Sequence, residues 1–159
     1  MTLVLGIDPG TATLGYGLVR QNRDDSLEAI AYGIIATPAK MPAHERLVKI
    51  YNEINELLLL HRPEGCAVEK LFFQKNVTNA IAVGQARGVV MLALAQAGLE
   101  PGEYTPNEIK LAVAGYGSAG KRQVQEMVRM LLTLDSIPRP DDAADALAVA
   151  ITHIHTNRY

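Results

Sequence analysis

Asp8, Glu69, Asp142 and Asp145 are the side chains in this sequence best placed to do chemistry. Asp8 closes the apolar run Leu3 to Ile7, and Glu69 closes a second, Cys66 to Val68. Asp142 and Asp145 stand three apart at the start of an Ala-rich segment near the end of the chain. Acids at the ends of apolar strands pay desolvation unless something compensates them, and a bound cation is one such compensation. Hard divalent cations such as Mg²⁺ take carboxylate and water oxygens, and a two-ion site flanks an in-line phosphoryl displacement. The pattern therefore points to metal-dependent cleavage of a phosphodiester. Taken alone, Asp142-Ala143-Ala144-Asp145 also reads as a helix N-cap with an acidic residue three further on, and Asp8 as the cap of a Pro9-Gly10 turn. Only the constellation favours a metal site.

Other residues bear on a nucleic-acid partner. Phe72 and Phe73 are the only phenylalanines, with Lys70 and Lys75 on either side. An exposed ring among basic side chains can stack on or wedge between bases. Gly115 to Lys121 fits G-x-x-x-x-G-K, the phosphate loop of nucleotide hydrolases. Yet Arg122 stands where that motif needs Ser or Thr, and the segment before it opens with helix-capping residues rather than a strand. A glycine-rich bend entering a helix beside Lys121 and Arg122 still suits a DNA backbone phosphate. Net charge is -2, so any basic face must be local.

The elements that must position these groups are legible from periodicity. Leu3 to Asp8, Leu14 to Arg20 and Leu27 to Thr37 read as an antiparallel meander. Ala43 to Arg62 carries helical apolar spacing, Cys66 to Glu69 is a short strand, and Val77 to Gly98 is a helix apolar almost all round. Within that helix Ala80, Gly84 and Gly88 form a small-residue ridge that suits close helix packing, in the core or in a dimer. Glu103-Tyr104 adds a strand, and Thr105-Pro106-Asn107-Glu108 starts a helix with a capping box. Lys121 to Leu134 is a further helix, and the last begins at Asp141 or Asp142. About five strands and five helices predict an α/β fold with a mixed sheet, in which Asp8 and Glu69 end neighbouring strands.

At 159 residues the sequence predicts one domain spanning 1–159. The single cysteine, Cys66, excludes an internal disulfide. No apolar run is long enough for a signal peptide or a membrane span, so the expectation is a cytoplasmic protein.

Four blocks together carry a resemblance: Gly6 to Thr11, Val68 to Asn76, Gly84-Gln85-Ala86-Arg87-Gly88, and Asp142 to Ala148. In this order, over nearly the whole chain, they resemble the RuvC-type crossover junction endodeoxyribonucleases. The resemblance implies a ribonuclease H-like fold with a mixed five-stranded sheet, a homodimer, and Mg²⁺-dependent symmetric cutting of four-way (Holliday) DNA junctions in recombination and repair. Two ions per site are implied, with Mn²⁺ as a possible substitute, products ending in 5′-phosphate and 3′-hydroxyl, and a branch-migration helicase as partner. It carries over Asp8, Glu69, Asp142 and Asp145 as catalytic metal ligands, Phe72 as the aromatic at the junction centre, and Lys110 and Lys121 as residues near the DNA. Phe73, Lys75 and Arg122 complete the expected DNA contacts. Asp141 directly precedes Asp142, and a one-residue slip exchanges their roles. The competing readings are a ribosomal-RNA-processing nuclease of the same fold, an actin-like ATP-binding domain, which needs a longer chain, and a non-catalytic nucleic-acid module.

Overall fold

A computed structural model of the chain describes residues 1–70 and 77–157. Three strands, β1 (Thr2–Pro9), β2 (Thr13–Gln21) and β3 (Leu27–Ala36), form the antiparallel meander. Two short strands, β4 (Gly65–Glu69) and β5 (Gly102–Tyr104), extend it in parallel on the other side of β1. The sheet order is β3-β2-β1-β4-β5. Because β1 and β4 run parallel with Ile7 opposite Val68, their next residues, Asp8 and Glu69, emerge side by side at one edge of the sheet.

Side-chain alternation sorts the strands into two faces. Leu5, Ile7, Leu14, Leu18, Cys66 and Val68 point one way, into a core completed by α1 (Ala43–His61) and α2 (Val77–Gln96). The buried stripe of α1, Ile50, Ile54 and Leu58, repeats at four-residue intervals, and the helix ends where Arg62 turns left-handed at φ 48°. Val4, Val19 and Ala67 point the other way, under α5 (Asp141–Thr156). Apart from the half-buried Asp145, that helix is buried from Ala143 to Ile154, with α3 (Pro106–Ala114) and α4 (Lys121–Leu131) packed against it.

Glycine is what lets α5 sit so close to the sheet. A Cβ on Gly15 would collide with the backbone carbonyl of Asp142. One on Gly17 would lie 2.9 Å from the Leu147 nitrogen, and one on Gly6 2.6 Å from that of Ala150. The first turn of α5 thus rests directly on β2 and β1, where Gly15 pairs with Asp8 across the two strands.

The predicted strands and helices all form, with boundaries shifted by a few residues. The capping box at α3 is present, with the Thr105 hydroxyl accepting from the Glu108 N–H at 3.2 Å. The G-x-x-x-x-G-K segment follows helix α3 rather than a strand, as its capping residues foretold. Among the described residues, no helix is long and apolar enough to cross a membrane.

Candidate active site

The four acids meet. Asp8, Asp142 and Asp145 each place a carboxylate oxygen within 4.8 Å of the others, and all three are half-buried. Glu69 stands outside that three-acid group but beside Asp8, close enough for its carboxyl to raise that of Asp8. β1 delivers Asp8, β4 delivers Glu69, and the first turn of α5 delivers Asp142 and Asp145 from one helical face. Neither capping alternative forms. Asp8 lies inside the strand, and α5 is entered through Pro140 with no side-chain cap bond.

Geometry also separates Asp142 from Asp141. Asp142 belongs to the cluster, whereas Asp141 is exposed and pairs with Lys121 at 3.1 Å and with Gln125 at 3.2 Å. The Lys121 ammonium holds the Asp141 carboxyl below its ordinary range.

Protonation follows from crowding. Burial raises Asp8 far above the ordinary carboxylate range, assisted by the adjacent Glu69 carboxyl and by the charges of Asp145 and Asp142. Burial also lifts Asp145 to about 6, against the pull of Lys121. Carboxyls this close resist ionising together, and a hard divalent cation relieves that repulsion while taking an all-oxygen ligand set. The donor set fits such an ion.

Two depressions flank the acids and share Glu69 and Pro106. One, of about 320 Å³, is lined by Asp8, Gly10, Glu69, Lys70, Asn79 and Arg87. The other, of about 270 Å³, runs between α3, α4 and α5 past Lys110, Gly120, Lys121 and Asp145. Lys110 and Lys121 thus line the same depression as Glu69 and Asp145. Arg122 lies outside it, pairing with Glu126 at 3.6 Å and lining a separate depression with Tyr32 and Arg139. Phe72, Phe73 and Lys75 lie outside the described residues.

Two supporting residues escaped the sequence reading. The Thr13 hydroxyl donates to the Asp142 carboxylate across 129 positions of sequence, committing one oxygen and leaving the other for a ligand. Arg46 of α1 donates to the Gly10 carbonyl at 3.1 Å and so anchors the loop that follows Asp8. Neither contact has a sequence signature, because each depends on the register of distant elements.

A ribonuclease H-like sheet with acids at the ends of two adjacent parallel strands and at a helix start defines a metal-dependent nuclease class. Comparison with known proteins narrows it. The family profile of crossover junction endodeoxyribonuclease RuvC matches residues 4–153. The RuvC of Chloroflexus aurantiacus is 59% identical over 152 residues, covering 96% of this chain and 92% of that protein. That of Desulfitobacterium hafniense is 55% identical over 154 residues, covering 97% and 93%. The solved structure of T. thermophilus RuvC in complex with Holliday junction substrate superposes with a TM-score of 0.93 at 39% identity, covering 98% of this chain and 94% of that one. The chain belongs to the RuvC family of crossover junction endodeoxyribonucleases. Its activity is that of a Holliday junction resolvase, which decides against the RNA-processing and ATP-binding readings.

Proposed function

We propose that residues 1–159 act as a single cytoplasmic nuclease domain in which Asp8, Glu69, Asp142 and Asp145 are the catalytic metal ligands, with Mg²⁺ as the working ion and Mn²⁺ as a substitute. The observation that carries this reading is the meeting of the Asp8, Asp142 and Asp145 carboxyls from two distant segments, with Glu69 of a third beside Asp8. Bound there, two such ions supply Lewis acidity toward the phosphoryl group and lower the pKa of the attacking water. The chain's own part is to hold and aim. Thr13 fixes Asp142, and Asp8, whose carboxyl burial and Glu69 raise, would release its proton to solvent as the site is loaded. Lys110 and Lys121 supply positive charge where the cut strand would leave the acids. Phe72 acts at the junction centre, Phe73 and Lys75 contact the DNA, and Arg122 contacts the DNA backbone from the outer side of α4.

The active species is a homodimer, so that two sites meet the two like strands of a substrate with approximate two-fold symmetry. The face offered to the second copy is the solvent-exposed stripe Ile81, Gln85, Gly88 and Leu92 of α2, whose spacing follows one side of a helix. Space is open at Gly88, where a Cβ would meet nothing within 4 Å. Cuts are symmetric, leave 5′-phosphate and 3′-hydroxyl ends, and follow branch migration driven by a partner helicase.

The test compares Asp8→Asn and Glu69→Gln with the native protein on a mobile four-way junction, a linear duplex and structured RNA in Mg²⁺. Both variants should bind the junction and fail to cut it, and the native protein should cut the junction alone. Cutting by either variant at the native rate overturns the ligand assignment.

A further inference from the structure

The strand β5 has three residues and only one neighbour in the sheet, yet it sits behind the acids. Tyr104 is the register partner of Glu69, and its carbonyl accepts from the Lys70 N–H at 2.8 Å. The next residue, Thr105, caps α3, which carries Lys110. Whatever fixes β5 therefore fixes both Glu69 and a basic residue of the cleft. Three ladder positions at a sheet edge are a weak hold, since isolated short pairings are marginal in water.

Two polar clasps add to that hold, one on each face. On the α5 side the Tyr104 hydroxyl meets His153 Nδ1 at 2.9 Å and accepts from Asn157 at 3.0 Å. On the α2 side Glu103, which pairs in register with Val68, forms an ion pair with Arg87. The Arg87 side chain is only 20% exposed, and its Nε is buried without a hydrogen-bond partner among the described residues. A largely buried guanidinium depends heavily on its counter-ion, because removing one partner leaves a charge that water cannot fully solvate. Arg87 also lines the same depression as Asp8 and Glu69.

We propose that Arg87 is a positioning residue: through Glu103 it ties the middle of α2 to β5 and so holds the Glu69 end of β4 at the distance the metal site requires. This rests on the reading of Glu69 as a metal ligand. Residues that orient ligands from behind typically set metal affinity by about 10- to 100-fold, and the clasp belongs with them, although it acts through a strand rather than a direct bond.

The experiment measures Mn²⁺ binding to the DNA-free protein by calorimetry, and the Mg²⁺ concentration that half-saturates junction cutting. The variants are Arg87→Gln, Glu103→Gln, the swap R87E with E103R, and Glu69→Gln. All are measured well below their melting temperatures. Either single neutralisation should weaken Mn²⁺ binding and raise the Mg²⁺ midpoint by about tenfold, and the swap should recover most of the loss. A folded Arg87→Gln or Glu103→Gln with native Mn²⁺ affinity overturns the proposal, as does a folded swap that recovers melting temperature without recovering metal affinity. If Glu69→Gln weakens Mn²⁺ binding while the clasp variants do not, the clasp alone fails. If Glu69→Gln also binds like the native protein, the ligand assignment fails with it. Should Arg87→Gln not fold, Glu103→Gln and the swap decide.

Discussion

The two faces of the sheet solve different problems. Toward α1 and α2 the strands present Leu5, Ile7, Leu14, Leu18 and Val68, and the helices answer with Ile50, Ile54, Val90 and Leu94. Large side chains separate the backbones, and each contact is one among many. Toward α5 the strands present Gly6, Gly15 and Gly17 among Val4 and Val19, and at those glycines they meet Asp142, Ala146, Leu147 and Ala150, so backbone nearly touches backbone. The first face supplies bulk burial, on the order of 25 cal/mol per Å². The second supplies position, because where the helix rests on Gly6 and Gly15 its backbone meets the strands directly and little can absorb an error. Asp142 and Asp145 ride on the second.

The sharpest way to break this contrast is to add a methyl group on one face and remove one on the other. Gly15→Ala drives a Cβ into the Asp142 carbonyl and must lift the first turn of α5. We expect junction cutting to fall by about a hundredfold or more, as for an ångström-scale misplacement of catalytic groups, with a stability cost of about 1–3 kcal/mol. Ile54→Val on the opposite face should cost about 0.5–1.5 kcal/mol in denaturant unfolding and leave the cutting rate of the folded protein unchanged. Equal losses of rate in the two variants would show that the faces do not differ in this way.

A smaller effect tests how finely the α5 face is tuned. Thr13→Val removes the hydroxyl that holds one Asp142 oxygen, keeping the volume nearly the same. The Mg²⁺ midpoint for cutting should rise by about tenfold, and Thr13→Ser should restore it. A Thr13→Val protein with native metal dependence would mean that α5 aims Asp142 without help.

The contrast also explains what could be read from the sequence. The large-residue face was legible, because alternation in β1 and β2 and the four-residue repeat of Ile50, Ile54 and Leu58 are the signals that periodicity detects. The acids were legible for a related reason: Asp8 and Glu69 interrupt apolar strands, and Asp142 and Asp145 share a helical face. The glycine face was not. Gly15 and Gly17 in a strand pattern read as weak points, and only the docked helix shows that they are clearances. Thr13, Arg46 and the Arg87–Glu103 pair stayed hidden because each acts on an element more than a dozen residues away. Adjacency in sequence did not show that Arg122 and Lys121 face different ways: neighbours on a helix point about 100° apart, and Arg122 pairs with Glu126 while Lys121 pairs with Asp141.

The gentlest probe of the α5 face is acidity. Asp145 has its carboxyl raised by burial from 3.8 to about 6. An acid whose folded pKa is raised holds its proton in the folded state while the unfolded chain has already released it. Its contribution is therefore fully present below about pH 4 and is lost as pH rises through about 6. In chelator, the stability of the native protein should fall across that window by about 1–2 kcal/mol, allowing for the partial solvent exposure of the group. The Asp145→Asn variant should lose that part of the slope, leaving the remainder due to Asp8, which burial and its acidic neighbours raise further. Saturating Mn²⁺ should reverse the trend, because the metal binds the ionised acids and its affinity climbs with pH. Melting curves from pH 4 to 8, with and without metal, read both signs. A flat profile in chelator would mean that the acids on the glycine face are farther apart, or wetter, than their placement implies.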